Sequence, residues 1–189
     1  QNGTGRMTST PTITTTRTTL RPFSDDHLTT QYVGWLNDPE TVRFSELRHR
    51  KHSLEDCRSH IEGLRAGGHY FWAIELRATP HTHIGNITAY LDTANRTAET
   101  SILIGHAPSR GQGLGREAWC AVVDHLLQVG ALRMIHAGTM STNTGMLRAF
   151  EESGMTIEGR SVGRFLLDSK PVDLILAARH ATPTPSDDQ

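Results

Sequence analysis

The chain has 189 residues, 36% of them hydrophobic, which is enough apolar side chain for one core of ordinary size. Its 19 lysine and arginine residues nearly balance its 20 aspartate and glutamate residues, so the formal net charge of −1 provides no basic field for nucleic acid. No apolar run approaches the ~20 residues of a membrane helix, and the N-terminus lacks the order of a signal peptide. We therefore expect a cytoplasmic protein that binds neither nucleic acid nor membranes.

The two ends of the chain predict the limits of a single domain. The letters QNGTGR before Met7 resemble the remnant of an expression tag, and a polar, threonine-rich run follows them. We expect residues 1–12 to form a disordered lead, residues 13–180 to form one domain, and residues 181–189 to form a disordered tail. Cys57 and Cys120 stand apart without metal-ligand spacing, so we expect no metal site.

The first third of the domain predicts one strand and two helices. The stretch TTTRTTLRPF favours a strand, and Ser24 supplies the capping chemistry for a helix that ends before Pro39. A second helix is predicted to begin after Ser53, whose side chain starts a capping box with Asp56, and to end at a pair of glycines.

From Tyr70 onward the hydrophobic period changes to two. Three β-type runs, YFWAIEL, THIGNITAYLD and TAETSILIGHA, are separated by short polar turns and predict an antiparallel meander. The glycine-rich stretch SRGQGLGREAW then opens a helix, which leads to the apolar strand LRMIHAGTM and completes a βαβ unit. A last helix, capped by Asn143 or Thr144, precedes closing strands with a hairpin around LDSKPVD.

The glycine-rich stretch favours an anion ligand. A glycine turn at a helix start leaves several N–H groups unpaired, with the positive end of the helix dipole behind them. A dinucleotide fingerprint is excluded because its turn follows the first strand of a parallel sheet, whereas this turn follows a meander. A Walker loop is excluded because the chain has no GK[ST] motif and no lysine close to the turn.

The same residues resemble a known family. Arg110, Gly113 and Gly115 match the pyrophosphate loop Gln/Arg-x-x-Gly-x-Gly/Ala of the GCN5-related N-acetyltransferases, or GNAT family. The order of predicted elements is similar to that family from about residue 18 to about residue 180. The letters AE at 98–99, Asn143 and FEESGM resemble the branch of ribosomal-protein N-terminal acetyltransferases and related small-molecule acetyltransferases. The resemblance implies an α/β (α+β) GNAT fold with a mixed, mostly antiparallel sheet of about six or seven strands and about four helices.

This resemblance implies acetyl-CoA as the cofactor. The N–H groups of residues 112–116 can hold a pyrophosphate at the helix start without a metal, and the Arg116 guanidinium can add a charge-assisted contact. A glycine-rich helix start that merely packs closely is the alternative reading of the loop. The candidate cofactor-binding residues are Ile104, His106, Arg110, Gly111, Gln112, Gly113, Leu114, Gly115, Arg116 and Asn143.

The resemblance also implies how acetyl transfer to an amine is catalysed. Glu99, on the strand before the loop, is placed to take the ammonium proton through water, although a solvent-facing strand residue is an equal alternative. A backbone N–H between Ile104 and His106, next to a bulge at Gly105, is expected to polarise the carbonyl. Relatives often carry serine and tyrosine where this chain has Met146 and Phe150, so the proton donor for the thiolate stays open. Ser141 is one candidate donor; Thr144, a water, or departure of the unprotonated thiolate are others.

The acceptor is predicted from the connector ETVRFSELRHRKHSLED between the first two helices. Its basic residues, with Arg48 and Arg50 as candidate ligands, favour a small anionic amine such as an amino sugar or amino acid, although a solvated loop is the ordinary reading. Trp35, Trp72 and Phe71 are candidate walls of the acceptor site, with core packing as the alternative. Protein N-termini are a second acceptor class, a non-catalytic acetyl-CoA-binding module is a further alternative, and a homodimer stays open.

Overall fold

The computed structural model describes residues 9–129 and 131–182, so the predicted tag remnant and residues 183–189 of the predicted tail lie outside it. The strands are β1 (Ile13–Thr14), β2 (Thr18–Pro22), β3 (Tyr70–Leu76), β4 (His83–Asp92), β5 (Thr97–Ile104), β6 (Met134–Met140), β7 (Thr156–Leu167) and β8 (Lys170–His180). The α-helices in these ranges are α1 (Thr30–Asn37), α2 (Leu54–Ala66), α3 (Leu114–Gln128) and α4 (Thr144–Glu152).

One mixed sheet runs in the order β1-β2-β3-β4-β5-β6-β8-β7, and only the β5–β6 pair is parallel. The described strands number eight, whereas the sequence predicts six or seven. The additional strand is the two-residue β1. It pairs with β2 through a tight turn in which the hydroxyl of Thr15 donates to the carbonyl of Thr18 and accepts from its N–H.

The helix starts follow local capping chemistry. The predicted capping box at α2 is confirmed: the Asp56 N–H donates to the Ser53 hydroxyl at 3.1 Å, and the Ser53 N–H donates to the Asp56 carboxylate at 2.8 Å. The predicted cap of the first helix is wrong, because Ser24 starts only a short 3₁₀ turn. The His27 ring accepts the Ser24 N–H and closes that turn, and Thr29 caps α1 instead.

Alternation along the strands divides the core between the two faces of the sheet. Helices α3 and α4 cover one face, where Trp72 and Ile74 are buried, and α1 and α2 cover the other, where Phe71 and Ala73 are buried. No helix in the described ranges is long and apolar enough to cross a membrane. Within those ranges no cluster of His, Cys, Asp and Glu is suited to hold a metal ion.

The sheet opens between its two parallel strands. β5 and β6 pair over only three positions, residues 97–99 with residues 134–136. The remaining residues of the two strands, 100–104 and 137–140, have no ladder partner across this gap. The result is a cleft that begins in the middle of the sheet and widens toward the start of α3.

Candidate active site

The glycine loop after β5 depends on left-handed backbone. Gly111 and Gly113 have φ values of +74° and +76°, and Gly113 is the N-cap of α3. At Gly115 a Cβ would lie 3.0 Å from the Ile104 side chain, so glycine lets the first turn of α3 approach β5 closely. The Gln112 side chain folds back and donates to the Pro108 carbonyl, and the loop therefore exposes its backbone.

Six consecutive N–H groups of this loop, from Gly111 to Arg116, have no hydrogen-bond partner among the residues described. They lie at the positive end of the α3 dipole. Such a run of unpaired N–H groups is the backbone arrangement that binds phosphate in other helix-start sites. The loop therefore fits a diphosphate, as the sequence predicts.

Two guanidinium groups lie beside the loop. A Cβ built on Gly113 would lie 3.3 Å from Nη2 of Arg116 and 3.6 Å from Nη2 of Arg17. Arg116 pairs with Glu152 of α4, whereas Arg17 donates to Glu117 at 2.7 Å and to the Gln112 carbonyl at 2.9 Å. Arg17 has no local signal in the sequence for this role, because only the fold brings it to a loop almost a hundred positions later.

Arg110 matches the first position of the family motif, but its side chain points away from the loop amides. The guanidinium donates to the carbonyls of Ile104 at 3.2 Å and Gly105 at 3.0 Å, and to the Thr41 hydroxyl. It also lies 3.6 Å from the Asp38 carboxylate. The side chain fastens the end of β5 to the segment after α1, and its predicted contact with the cofactor stays a prediction.

The end of β5 presents backbone N–H groups to the cleft. The N–H groups of Gly105 and His106 both donate to the Ile84 carbonyl at 3.0 Å, which is the predicted bulge. Because antiparallel bonds alternate along a strand, this pairing turns the N–H groups of Ile102 and Ile104 toward β6. Of the predicted carbonyl donors, Ile104 is therefore available, whereas the His106 N–H is already paired and its ring contacts the Ser109 hydroxyl.

Trp35 has a supporting position at this bulge. A Cβ built on Gly105 would overlap the indole ring, so the tryptophan lies directly on the glycine backbone. The Trp35 side chain is buried between α1 and the sheet and does not line the cavity described next. Its position favours a role in fixing the β5 bulge over the predicted contact with an acceptor.

A cavity of about 620 Å³ lies on the α1/α2 face of the sheet and reaches the cleft at Ile102. We call it the acceptor cavity. The residues that line it are Tyr32, Leu36, Ser45, Glu46, Leu47, Arg50, His52, Asp56, Cys57, His60, Phe71, Asn86, Thr88, Tyr90, Glu99, Ser101, Ile102 and Leu103.

The ionisable groups of the acceptor cavity are mainly acidic. Glu46, Asp56 and Glu99 line it against the single guanidinium of Arg50. Hydrogen bonds from Ser53 lower the pKa of Asp56, and burial lowers the pKa of His60, so at neutral pH the carboxylate is charged and the imidazole is neutral. The cavity therefore favours a cationic group such as an ammonium.

Glu99 lies where the strands begin to separate. It is opposite Tyr90 on β4 and His136 on β6, in the last paired position before the cleft. Its carboxylate is exposed at the cavity and has no hydrogen bond or ion pair with any described residue. Burial, and then the charge of Glu99, raises the pKa of Tyr90. The site thus has an unengaged carboxylate next to the strand that carries the Ile104 N–H.

Trp72 is not part of this site. It is fully buried on the α3 face, and its indole N–H donates to the Pro11 carbonyl at 2.6 Å. Because side chains alternate along a strand, its neighbour Phe71, also a predicted wall, faces the other way and lines the cavity. The predicted acceptor contact at Trp72 is therefore corrected, and Pro11, which the sequence assigns to the lead, packs on β3.

The segment after β6 supplies the other side of the cleft. The Asn143 side chain accepts the Met146 N–H at 3.3 Å as the N-cap of α4, and its amide donates to the Thr139 hydroxyl at 3.1 Å. Ser141 follows β6 directly, and its N–H donates to the Asp173 carbonyl. Phe150 is buried against Trp119 and presents no surface to the cleft.

The basic connector lies beside a second cavity. Arg48 and Arg50 both line this cavity of about 510 Å³, but only Arg50 also lines the acceptor cavity. Arg48 donates to Glu46 at 2.7 Å and to the Leu166 carbonyl at 3.1 Å, and is therefore engaged within the protein. Of the two predicted ligands, Arg50 is the one in position to meet an acceptor.

The split sheet, the unpaired amides of the glycine loop and the adjoining cavity together suit a group-transfer enzyme with a phosphorylated cosubstrate. A family model described as the acetyltransferase (GNAT) domain matches residues 17–156, and the chain belongs to this family. It is thus an acetyl-CoA-dependent N-acetyltransferase by class, as the sequence predicts. A comparison with curated protein sequences gives no match.

Solved structures show the same fold. A GNAT-family acetyltransferase from Bacillus anthracis is 18% identical, with 90% of this chain and 99% of that chain covered and a TM-score of 0.73. RimL, a ribosomal L7/L12 alpha-N-protein acetyltransferase in complex with coenzyme A, is 17% identical, with 90% and 98% covered and a TM-score of 0.77. Spermidine N-acetyltransferase from Vibrio cholerae, in complex with CoA and spermine, is 18% identical, with 87% and 95% covered and a TM-score of 0.76.

Proposed function

We propose that this chain transfers the acetyl group of acetyl-CoA to the primary amine of a small molecule held in the acceptor cavity. The observation that carries the proposal is the placement of the unpaired amides of the loop, the split strands and the Glu99 carboxylate along one cleft. The loop lies at one end of the cleft and the acidic cavity opens beside it. This arrangement suits direct transfer in a ternary complex.

Acetyl-CoA fits the residues on the loop side. The six unpaired N–H groups and the Nη2 groups of Arg17 and Arg116 match the negative charge of a diphosphate. When bound, acetyl-CoA supplies an activated acyl group. The protein's part is to hold the phosphates at the loop, so that the rest of the molecule can lie between β5 and β6.

Two groups of the chain act on the reacting atoms. The Ile104 N–H, directed into the cleft, polarises the acetyl carbonyl by donating a hydrogen bond to its oxygen. Glu99 takes the proton of the incoming ammonium, directly or through water, and leaves a neutral amine as the nucleophile. His60, which no sequence motif indicates, is a second candidate proton acceptor in the same cavity, because burial keeps its imidazole neutral.

The thiolate leaving group depends less on a proton donor than the amine depends on a base. Met146 and Phe150 cannot donate a proton, and Ser141 beside the end of β6 is the hydroxyl we assign to this step. A thiol has an ordinary pKa of ~8.5, so a thiolate is a tolerable leaving group near neutral pH even without a donor. We therefore expect the Ser141→Ala variant to lose only a small part of its turnover.

The acceptor distinguishes this proposal from its two alternatives. An anionic small amine is favoured by Arg50 in the cavity wall. RimL acts on a ribosomal protein and the Vibrio cholerae enzyme on spermidine, so relatives of this fold differ widely in the acceptor. Protein N-termini are the second candidate, supported by the likeness to RimL. A non-catalytic acetyl-CoA-binding module is the third, supported by the missing serine and tyrosine.

The test is thiol release from acetyl-CoA with a panel of amines. The panel contains amino sugars, amino acids, polyamines and short peptides with free N-termini. Release with a small amine supports the proposal, and release with peptides alone supports the protein acetyltransferase. Binding of acetyl-CoA without release for any amine would identify a binding module.

A further inference from the structure

The second cavity is built by two segments that are remote in sequence. The connector before α2 forms one wall, and the tip of the β7–β8 hairpin forms the other. Two arginines join them: Arg43 pairs with Asp168 at 2.6 Å, and Arg48 donates to the Leu166 carbonyl at 3.1 Å. The cavity is therefore held in shape by contacts within the protein.

The charge of the second cavity is opposite to that of the acceptor cavity. Its charged lining comprises the side chains of Arg43, Arg48, Arg50, Lys51 and Asp168. Apart from the Arg48–Glu46 and Arg43–Asp168 pairs, the second cavity has the cations Arg50 and Lys51, whereas the acceptor cavity has the carboxylates Asp56 and Glu99 against Arg50. A ligand with separated positive and negative groups matches this polarity.

Two of the cations are available to a ligand. Arg43 and Arg48 are engaged by Asp168 and Glu46, but the side chains of Arg50 and Lys51 make no ion pair or hydrogen bond within the described ranges. Arg50 lines both cavities, so it stands at their junction. The two cavities are therefore adjacent at this side chain, and an acceptor that spans both would pass Arg50.

We propose that the acceptor is an elongated molecule with an amine at one end and a phosphate or carboxylate at the other. Its ammonium lies near Glu99 in the acceptor cavity, and its anionic group lies between Arg50 and Lys51 in the second cavity. Guanidinium and ammonium groups both bind phosphate and carboxylate, so these two anions share one chemistry here. This proposal rests on acetyl transfer to an amine, as proposed above.

The experiment compares matched amines that differ only in the anionic group. Glucosamine 6-phosphate is paired with glucosamine, and 6-aminohexanoate is paired with hexylamine. We expect the wild-type enzyme to have a higher kcat/KM for the anionic member of at least one pair. In the double variant Arg50→Gln/Lys51→Gln this preference should fall about tenfold, which is ~1.4 kcal/mol in total for the loss of two exposed charge contacts.

Arg148→Gln is the matched control. Arg148 is an exposed arginine on α4, on the opposite face of the sheet, and lines neither cavity. It should keep the wild-type preference. The thermal midpoint of all variants checks that they fold.

Each result decides the proposal. A preference confined to the phosphate pair or to the carboxylate pair supports it and identifies the anion. Equal kcat/KM within both pairs overturns it while acetyl transfer stands, and so does a preference that survives in the double variant. Acetylation of peptides alone also overturns it. If no amine is acetylated, the proposal falls together with the proposed function.

Discussion

Glu99 illustrates how a single side chain gains a chemical role from its surroundings. An exposed glutamate on a strand is ordinary, but this one is unpaired, faces an acidic cavity and occupies the last paired position before the strands separate. A carboxylate in such a place draws an ammonium toward the cleft and can accept its proton. Position, and not residue type, carries the assignment.

The variant Glu99→Gln should lower kcat by about 10²-fold at neutral pH, because it removes a positioned proton acceptor and keeps the size of the side chain. The loss should shrink as the pH approaches the pKa of the amine, when the free amine no longer needs a base. Steady-state rates between pH 7 and pH 10 measure this. Glu62→Gln, on α2 outside the cavity lining, is the control. An unchanged rate at neutral pH would return Glu99 to a structural role, and a large loss in His60→Gln instead would assign the base to the imidazole.

A substitution at Gly113 tests whether the glycine loop binds acetyl-CoA. The variant Gly113→Val adds a side chain where two guanidinium groups converge, and we expect acetyl-CoA to bind at least ~10-fold more weakly. Backbone strain alone would cost about 1–2 kcal/mol of stability, because φ is +76°. Gly68→Val has the same kind of strain, with φ of +70° and open space around it, and should keep the wild-type affinity. Calorimetric affinities that are equal in the two folded variants would contradict the loop assignment.

At the level of elements, the cleft depends on the contact between α1 and the end of β5. Trp35 lies on the Gly105 backbone, and the bulge there turns two N–H groups onto the Ile84 carbonyl. The neighbouring Arg110 side chain donates a hydrogen bond to the Gly105 carbonyl. The direction of the Ile104 N–H is thus fixed by packing that involves no cofactor.

We expect Gly105→Ala to destabilise the fold by about 1–3 kcal/mol, because its Cβ cannot fit without moving the indole. Adding Trp35→Leu should recover part of that loss, since the smaller side chain leaves room. Urea denaturation of the two single variants and the double variant gives the coupling energy. Gly63→Ala, a helix glycine with nothing near its Cβ position, should be neutral or stabilising by up to ~1 kcal/mol. Strictly additive effects of the two substitutions would exclude the contact.

The sequence predicts elements whose signals are local. Ser53 and Asp56 are three positions apart, so their capping box can be predicted without any tertiary contact. Asn143 is equally local. By contrast, Arg17 reaches the loop only because the fold brings the start of β2 next to α3. Trp72 and Phe71 lie on opposite faces of the sheet, and only the packed structure shows which face borders the cavity. The directions of side chains and the contacts between distant segments are set by the whole fold, so local sequence patterns do not predict them.

At the scale of the whole molecule, acid should weaken the fold through a buried cluster behind α1. Burial lowers the pKa of His83 to about 4, and His27, whose ring lies 5.1 Å away, acts in the same direction, while Glu75 opposes it. The unfolded chain binds a proton on this imidazole near pH 6.5, so between pH 6.5 and about 4 it holds more protons than the folded state. Stability then falls as the pH decreases through that range.

The expected loss from His83 is about 2 kcal/mol between pH 7.5 and pH 5. Glu75 acts in the same sense at lower pH, because hydrogen bonds from His27 and Arg21 outweigh its burial and lower its pKa. Urea unfolding of His83→Gln should show a smaller loss over this interval than the wild type. The exposed His49→Gln should behave as the wild type. Parallel curves for the wild type and His83→Gln would mean that this ring is not held neutral by the fold.

The separation of β5 from β6 also affects how the backbone exchanges hydrogen with the solvent. In a strand whose odd-numbered N–H groups are protected by β4, the amides of Ile102 and Ile104 face the cleft and lack that protection. Deuterium should therefore replace their hydrogens much faster than that of Leu103, which lies between them. Saturating acetyl-CoA should slow the Ile104 amide if it donates to the bound molecule, and leave Leu103 unchanged. NMR exchange rates that are equal for all three residues would show that the strands close over the cleft in solution.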